Sequence, residues 1–276
     1  MAPRSPLPES PPGSPPTVRL WAVTLAGLSA LLLTLVAAGW PPLTDWDASV
    51  AARAHEAALA HPGTTRTNRV FSDWVWDPWT MRALAAVTVL WLWRRGTVRL
   101  AVTVGVACLG AAAAQQLLKA AVGRDRPEWP DPVDTAHFAA YPSGHAMTAT
   151  VVCGLVVWVL HRAKAARPVL VAAWTVAVVS VAGVGLTRVW LGVHWPTDVL
   201  GGWLLGGLTV ALAALAYRRV EAADRRQRRL RREGTGRTGA VAGRERRALP
   251  PSRVLRRRTP PRRRSRRTAP GGRGRG

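Results

Sequence analysis

The sequence predicts an all-α protein, a polytopic membrane helical bundle with about six transmembrane helices. Three observations carry this. The 276 residues are 48% hydrophobic, yet the formal net charge is +24. That charge is segregated: residues 218–276 hold 23 Arg and four acids, whereas residues 1–217 hold 16 Lys/Arg and 11 Asp/Glu. The apolar residues fall in long runs separated by short polar loops. A near-neutral apolar body with a basic tail fits a membrane protein better than a soluble domain. The two cysteines, Cys108 and Cys153, lie inside apolar runs, which argues against a disulfide framework and gives no zinc spacing.

In chain order, residues 1–18 are dense in Pro and Ser and read as disordered. Leu20–Trp40 is an apolar run of 21 residues, matching the roughly 20 that a spanning helix needs. A cleaved signal peptide has a shorter apolar region after a basic start, so this run reads as an anchor. Residues 41–78 are mixed, with Pro41-Pro42 marking the break. Within them, Asp47–His61 has an Ala/Leu/Val pattern broken by Arg53, His55 and Glu56, as in a short helix lying on the surface. Further apolar runs follow at Trp79–Trp93, Val98–Leu118, Ala146–Leu160, Val169–Leu186 and Val199–Tyr217. The run at Trp79–Trp93 is only 15 residues long, with Trp74–Trp76 upstream as a candidate extension. The expected organisation is a Pro-rich N-terminus (1–18), a six-helix membrane domain (19–217) and a disordered Arg-rich tail (218–276).

Loop charges orient the bundle. Arg4 and Arg19, then Arg94, Arg95 and Arg99, then Arg162, Lys164 and Arg167, and finally the tail, all fall on one side. The positive-inside rule makes that side cytoplasmic, with both termini there. Residues 41–78, the 119–145 loop and the 187–198 loop then face outward. Several of the 14 Trp, among them Trp21, Trp40, Trp79, Trp91, Trp93 and Trp203, fall near span ends, as an interfacial belt requires.

The outer side carries the polar chemistry. Lys119 to Arg126-Pro127 leaves the third span, Pro142-Ser143-Gly144-His145 enters the fourth, and Arg188 to His194 to Asp198 links the fifth and sixth. Ionisable groups at a membrane edge are costly and point to function. Lys119, Arg126 and Arg188 supply the positive charge, and in Arg the forked donors, that a phosphate needs. Charge spread over phosphoryl oxygens is what such a transition state must have neutralised. Ser143 and Gly144 stand before an apolar helix, so their backbone N–H groups can cradle an anion. His194 and Asp198 are four apart: on one helix face, the carboxylate can hold one ring nitrogen and leave the other free to attack. His145 is placed to act as general acid. Of the 39 basic residues only Lys119 and Lys164 are Lys, a sample too small to set apart from chance.

These three segments resemble the signature of the type 2 phosphatidic acid phosphatase superfamily, which includes vanadium-dependent haloperoxidases. That pattern runs Lys, six residues, Arg-Pro; then Pro-Ser-Gly-His; then Ser-Arg, five residues, His, three residues, Asp. Lys119, Arg126-Pro127, Pro142 to His145, Arg188, His194 and Asp198 match it at the right spacings, and Thr187 departs from it where the pattern has Ser. The resemblance implies that His194 is a nucleophile forming a phosphohistidine, oriented by Asp198. It implies that His145 protonates the leaving group, and that Lys119, Arg126, Ser143, Gly144 and Arg188 bind phosphate, with no metal and no cofactor.

The expected function is hydrolysis of a lipid phosphate or pyrophosphate by an integral membrane phosphatase. A vanadate-dependent haloperoxidase-like enzyme and a non-catalytic tether with a basic tail are the alternatives; six spans suit a lipid substrate, and a tether leaves three motifs unexplained. Arg124 and Asp125, inside the first motif, are readable as solvated loop charges, and Arg124 equally as a phosphate contact. Asp131 and Asp134 read as shaping the loop or contacting a head group, and His55, His61, His137 and His161 as surface residues. Expected partners are the lipid substrate, the surrounding membrane lipids and, for the tail, anionic inner-leaflet lipid. Nucleic acid is disfavoured because no aromatic residue follows Tyr217 to stack on bases.

Overall fold

In the computed structural model the described residues are 16–248, with side chains described for 17–230. Among them every regular element is helical. The order is α1 (Pro16–Ala37), α2 (Pro41–Ala60), α3 (Pro62–Val70), a π-helical turn (Phe71–Val75), α4 (Pro78–Arg94), α5 (Val98–Val122), α6 (Gly144–Arg162), α7 (Arg167–Trp190) and α8 (Pro196–Ala248). Proline opens α2, α3, α4 and α7 at the first or second position, where its missing N–H costs nothing. Asp77 caps α4 by accepting from the Trp79 N–H at 2.6 Å. Gly123 ends α5 in the left-handed conformation (φ 59°), the usual glycine stop.

Five helices are long and apolar enough to cross a membrane: α1, α5, α6, α7 and the Pro196–Leu230 part of α8. The sixth expected span is α4, 17 residues long and so about 26 Å at 1.5 Å per residue. The chain is a multi-pass membrane protein. Large apolar side chains on α1, α5 and α7, including Leu20, Leu109, Leu117 and Val176, are exposed, the pattern expected of faces that meet lipid.

Helix α6 is the hub and packs against α4, α5 and α7. Ala146, Met147, Ala149, Val151, Val152, Cys153, Leu155, Val157 and Val159 are all buried on it, so it is apolar all round as a central helix should be. One cluster joins Met147, Val151, Leu155 and Val159 to Leu92, Leu100, Val104 and Ala213. Another joins Ala149, Val152 and Val157 to Trp76, Met81, Ala177 and Val184. Helix α8 comes close to α6 because small residues face it. A Cβ on Gly202 would lie 2.8 Å from the Ser143 carbonyl oxygen, and one on Gly206 would lie 2.6 Å from Thr150 Cβ. Small residues four apart are a recurrent way to bring membrane helices together.

Three expectations change. Asp47–His61 is not a surface helix: α2 buries Asp47, Ala51, His55 and Ala58 along one face and packs on α7 and α3. The polar character of the segment hid this, because the buried Asp47 is paired by the distant Arg124 and Thr197. His55 is correspondingly buried, stacked on Trp129 with ring centroids 4.3 Å apart. Trp203 is half-buried, donating to the Val181 carbonyl at 3.0 Å, and fills the space beside Gly185 instead of joining a belt. Finally, α8 continues to Ala248, where disorder was expected from residue 218. Ala, Arg, Gln and Leu favour helix, and no Pro interrupts them before residue 250. The rest of the expected tail (249–276) and residues 1–15 lie outside the described residues. One compact unit runs to Arg225, and residues from 226 form a second.

Candidate active site

The residues singled out from the sequence sit at helix ends and in the loops between them. Lys119 occupies the last turn of α5 and Arg188 the last turn of α7. Ser143 is the residue before α6, Gly144 and His145 are its first two residues, and Asp198 is in the first turn of α8. Arg126 lies in the 123–143 loop and His194 in the 191–195 loop. Tertiary packing brings them together. Lys119 senses the charges of Arg126, Asp198 and Arg188, and His145 those of Arg188, His194, Arg126 and Lys119.

His194 is 1% exposed. Its Nδ1 lies 3.2 Å from Asp198 Oδ2, and its Nε2 lies 3.2 Å from an Arg126 terminal nitrogen. Arginine has only donors to offer, so Nε2 must accept and the ring proton belongs on Nδ1, facing the carboxylate. Both neighbours therefore select one tautomer. Burial, followed by the charges of Arg126 and Arg188, lowers the His194 pKa well below its ordinary value, so the ring is neutral near pH 7. Asp198 Oδ2 also accepts the Trp195 N–H at 2.9 Å.

The cations are fastened from behind. Arg126 donates to the carbonyls of Phe138 (2.8 Å), Val193 (2.5 Å) and His137 (3.1 Å), which ties both loops together. Burial lowers its pKa; a guanidinium stays charged all the same. Lys119 donates to the Ala139 carbonyl. Arg188 donates to Ser72 Oγ at 2.8 Å and lies 3.8 Å from Asp134. Two polar atoms of the group, Ser143 Oγ and Arg188 Nε, are buried without a protein partner. Such groups are costly unless something else bonds them, and an anion would suit both. A Cβ on Gly144 would lie 2.7 Å from Gln115 Nε2, so glycine is needed there for packing as well as for access.

Reading the sequence missed Asp47 and Ser72 because they lie in the mixed 41–78 segment and match no motif. Arg124 is corrected: its guanidinium faces Asp198, Thr197 and Asp47, each at 2.7 Å, so it has little left for a phosphate. Thr187 bonds back to its own helix, donating to the Val184 carbonyl at 2.8 Å. Tyr141 is fully buried with an unpartnered hydroxyl; burial and the nearby Asp198 charge push its pKa up to about 12. It packs against α8, where a Cβ on Gly201 would lie 2.8 Å from its hydroxyl.

Parts of the chain are similar to known proteins. The phosphatidylglycerophosphatase B of Bacillus subtilis (strain 168) is 38% identical over 96 residues, covering 33% of this chain and 45% of that protein. The undecaprenyl-diphosphatase of Sulfolobus acidocaldarius is 38% identical over 77 residues, 28% of this chain and 31% of the relative. The lipid A 1-phosphatase of Rhizobium etli is 33% identical over 112 residues, 37% and 44% of the two chains. The chain thus spans less than half the length of each of these curated relatives. The crystal structure of a transmembrane PAP2 type phosphatidylglycerolphosphate phosphatase from Bacillus subtilis shares the fold. Its TM-score is 0.61 at 22% identity, over 70% of this chain and 94% of that one. The PAP2 superfamily model matches residues 100–222, a stretch that contains all eight motif residues, and over that stretch the chain is similar to the PAP2 superfamily.

Proposed function

We propose that this protein is an integral membrane phosphatase that removes phosphate from a lipid phosphate or pyrophosphate through a phosphohistidine. The observation that carries the reading is the buried His194, held between Asp198 on Nδ1 and Arg126 on Nε2, both at 3.2 Å. A phosphate entering the site takes over the Arg126 donor and exposes the Nε2 lone pair. Lys119, Arg126 and Arg188 then share the charge on the phosphoryl oxygens, with Ser143, Gly144 and the start of α6 as further donors. Nε2 attacks phosphorus as the bond to the leaving oxygen breaks, and that oxygen takes a proton from His145. Asp198 stabilises the cationic ring that forms. In the second half, water attacks phosphorus, gives its proton to His145 and releases inorganic phosphate, which restores neutral His194. The positive charge that a metal might otherwise supply comes from Lys119, Arg126 and Arg188, so the proposed reaction is metal-independent.

The same reading places the site on the outer face and both termini in the cytoplasm. It is supported by where the basic loops gather. Arg162, at the end of α6, pairs with Glu221 of α8 at 2.6 Å, and Arg99, at the start of α5, pairs with Asp224. Lys119 lies 20 residues from Arg99 along α5, about 30 Å away. The basic end and the site are therefore a bilayer apart. At the basic end, Arg218, Arg219 and Arg225 of α8 would meet anionic lipid.

Full-length protein in detergent is expected to release phosphate from phosphatidic acid, phosphatidylglycerol phosphate or polyprenyl pyrophosphate in the presence of chelator. Acid quench of a labelled reaction should trap an acid-labile phosphoenzyme, absent from His194→Ala. Undiminished phosphate release by His194→Ala overturns the mechanism.

A further inference from the structure

Arg124 and Asp47 have no part in the phosphate binding just described, yet both are joined to the His194–Asp198 pair. One terminal nitrogen of Arg124 donates to Asp198 Oδ1 and to Thr197 Oγ1, each at 2.7 Å; the other donates to Asp47 Oδ2 at 2.7 Å. Asp47 Oδ1 accepts the Thr197 N–H at 2.9 Å, and its Oδ2 accepts the Thr197 hydroxyl. Asp47, Thr197 and Asp198 are each 0% exposed, and the Arg124 side chain only 13%. Arg124 also lies over the Trp195 ring, 5.6 Å from its centroid. Residues from α2, the 123–143 loop and the first turn of α8 thus form one closed polar unit.

We propose that Arg124 and Asp47 are positioning residues for the reaction, acting on His194 through Asp198. The inference rests on the phosphohistidine reading. Asp198 has two oxygens and two tasks. Oδ2 holds the His194 ring and the Trp195 N–H, while Oδ1 is engaged by Arg124. A carboxylate bonded at only one oxygen can swing about its terminal torsion, which is broad and roughly two-fold. Pinned at both, it must break charge-assisted bonds to turn. The His194 ring inherits that rigidity, and a small misplacement of an attacking atom costs much rate.

Asp47 completes the device. It caps α8 from another helix by accepting the N–H of Thr197 in the first turn, where backbone donors lack intrahelical partners. It also supplies the second carboxylate for Arg124. Without it, Arg124 has a single anionic partner beside a pocket that binds anions, and the guanidinium is free to turn toward the phosphate. The unit of two carboxylates and one guanidinium carries a net negative charge. That charge favours the cationic ring formed as His194 is phosphorylated.

The test is a set of full-length variants in detergent assayed on a short-chain phosphatidic acid. Arg124→Lys keeps the charge and loses the fork; Asp47→Asn keeps the shape and loses the charge. Each is expected to lower kcat about 10- to 100-fold, the usual reach of groups that orient a reacting one, with KM moved less than about threefold. In an Asp198→Asn background, Arg124→Lys should add less than about threefold, because its effect runs through that carboxylate. Equal losses in both backgrounds overturn the proposal, as does a raised KM at unchanged kcat, which would make Arg124 a direct phosphate ligand. A shared melting temperature identifies variants that fold. Should Arg124→Lys fail to fold, Asp47→Asn combined with Asp198→Asn gives the same cycle. Phosphate release that survives in His194→Ala overturns the phosphohistidine reading and this inference with it, whereas additive losses overturn the network alone and leave His194 as nucleophile.

Discussion

His194 shows how far a single residue can be specified by its neighbours. Its type and spacing to Asp198 are legible in the sequence, and so is a carboxylate to orient it. The tautomer is not, because it depends on Arg126 reaching Nε2 from a loop 68 residues away. Burial favours the neutral ring, and the sign of the pH effect follows. The unfolded chain takes up a proton on this residue below about pH 6.5, while the folded chain does not, so this part of the stability is lost as pH falls below that value. Ring-15N NMR of the protein in detergent is expected to show one imidazole that stays neutral as pH is lowered through 6.5. The signal should vanish in His194→Ala. A His194 ring that titrates near 6.5 would contradict the environment described for it.

At the scale of elements, the site depends on where helices stop and how close they come. Helices α5 and α7 run past their apolar stretches, so Lys119 and Arg188 project from last turns. Hydropathy marks the limits of an apolar run but not those of a helix, whose backbone bonding continues through polar residues. The π-helical turn at Phe71–Val75 brings Ser72 onto Arg188 at 2.8 Å; such turns are rare and recur at functional sites. Nothing in the sequence marks it. The approach of α8 to α6 is likewise decided by packing, with the Ser143 N–H donating to the Asp198 carbonyl at 2.9 Å. Gly202→Ala would place a Cβ 2.8 Å from the Ser143 carbonyl oxygen. It is expected to destabilise the protein by about 1–3 kcal/mol, the usual cost of overpacking, and to lower kcat. Thermal melting and turnover of the same preparation check both. An unaffected melting point would show that α8 can back away from α6 at no cost.

In the proposed reading the membrane domain separates two chemistries by the thickness of a bilayer, with basic loops at one end and the phosphate site at the other. Orientation is open to a direct measurement. In a background with Cys108 and Cys153 replaced by Ala, Asp131→Cys is expected to react with an impermeant maleimide on intact cells. Ala163→Cys, in the α6–α7 loop, should react only after permeabilisation. The reverse pattern would put the site in the cytoplasm. The six apolar runs foretold the bundle well, since burying a span in lipid demands a long apolar stretch that is visible locally. The 41–78 segment is the weak point, for α2 buries an aspartate that only distant partners make tolerable.

The sequence by itself determined the helical membrane class, the three motifs and their order, because hydropathy and spacing are local properties of a chain. Only the tertiary structure decided that Arg124 turns to Asp47 and Asp198, that Arg126 selects the His194 tautomer, and that Ser72 braces Arg188. The physical reason is common to all three. A buried polar group takes whichever partner the fold brings within about 3 Å, and sequence distance does not predict which partner that will be.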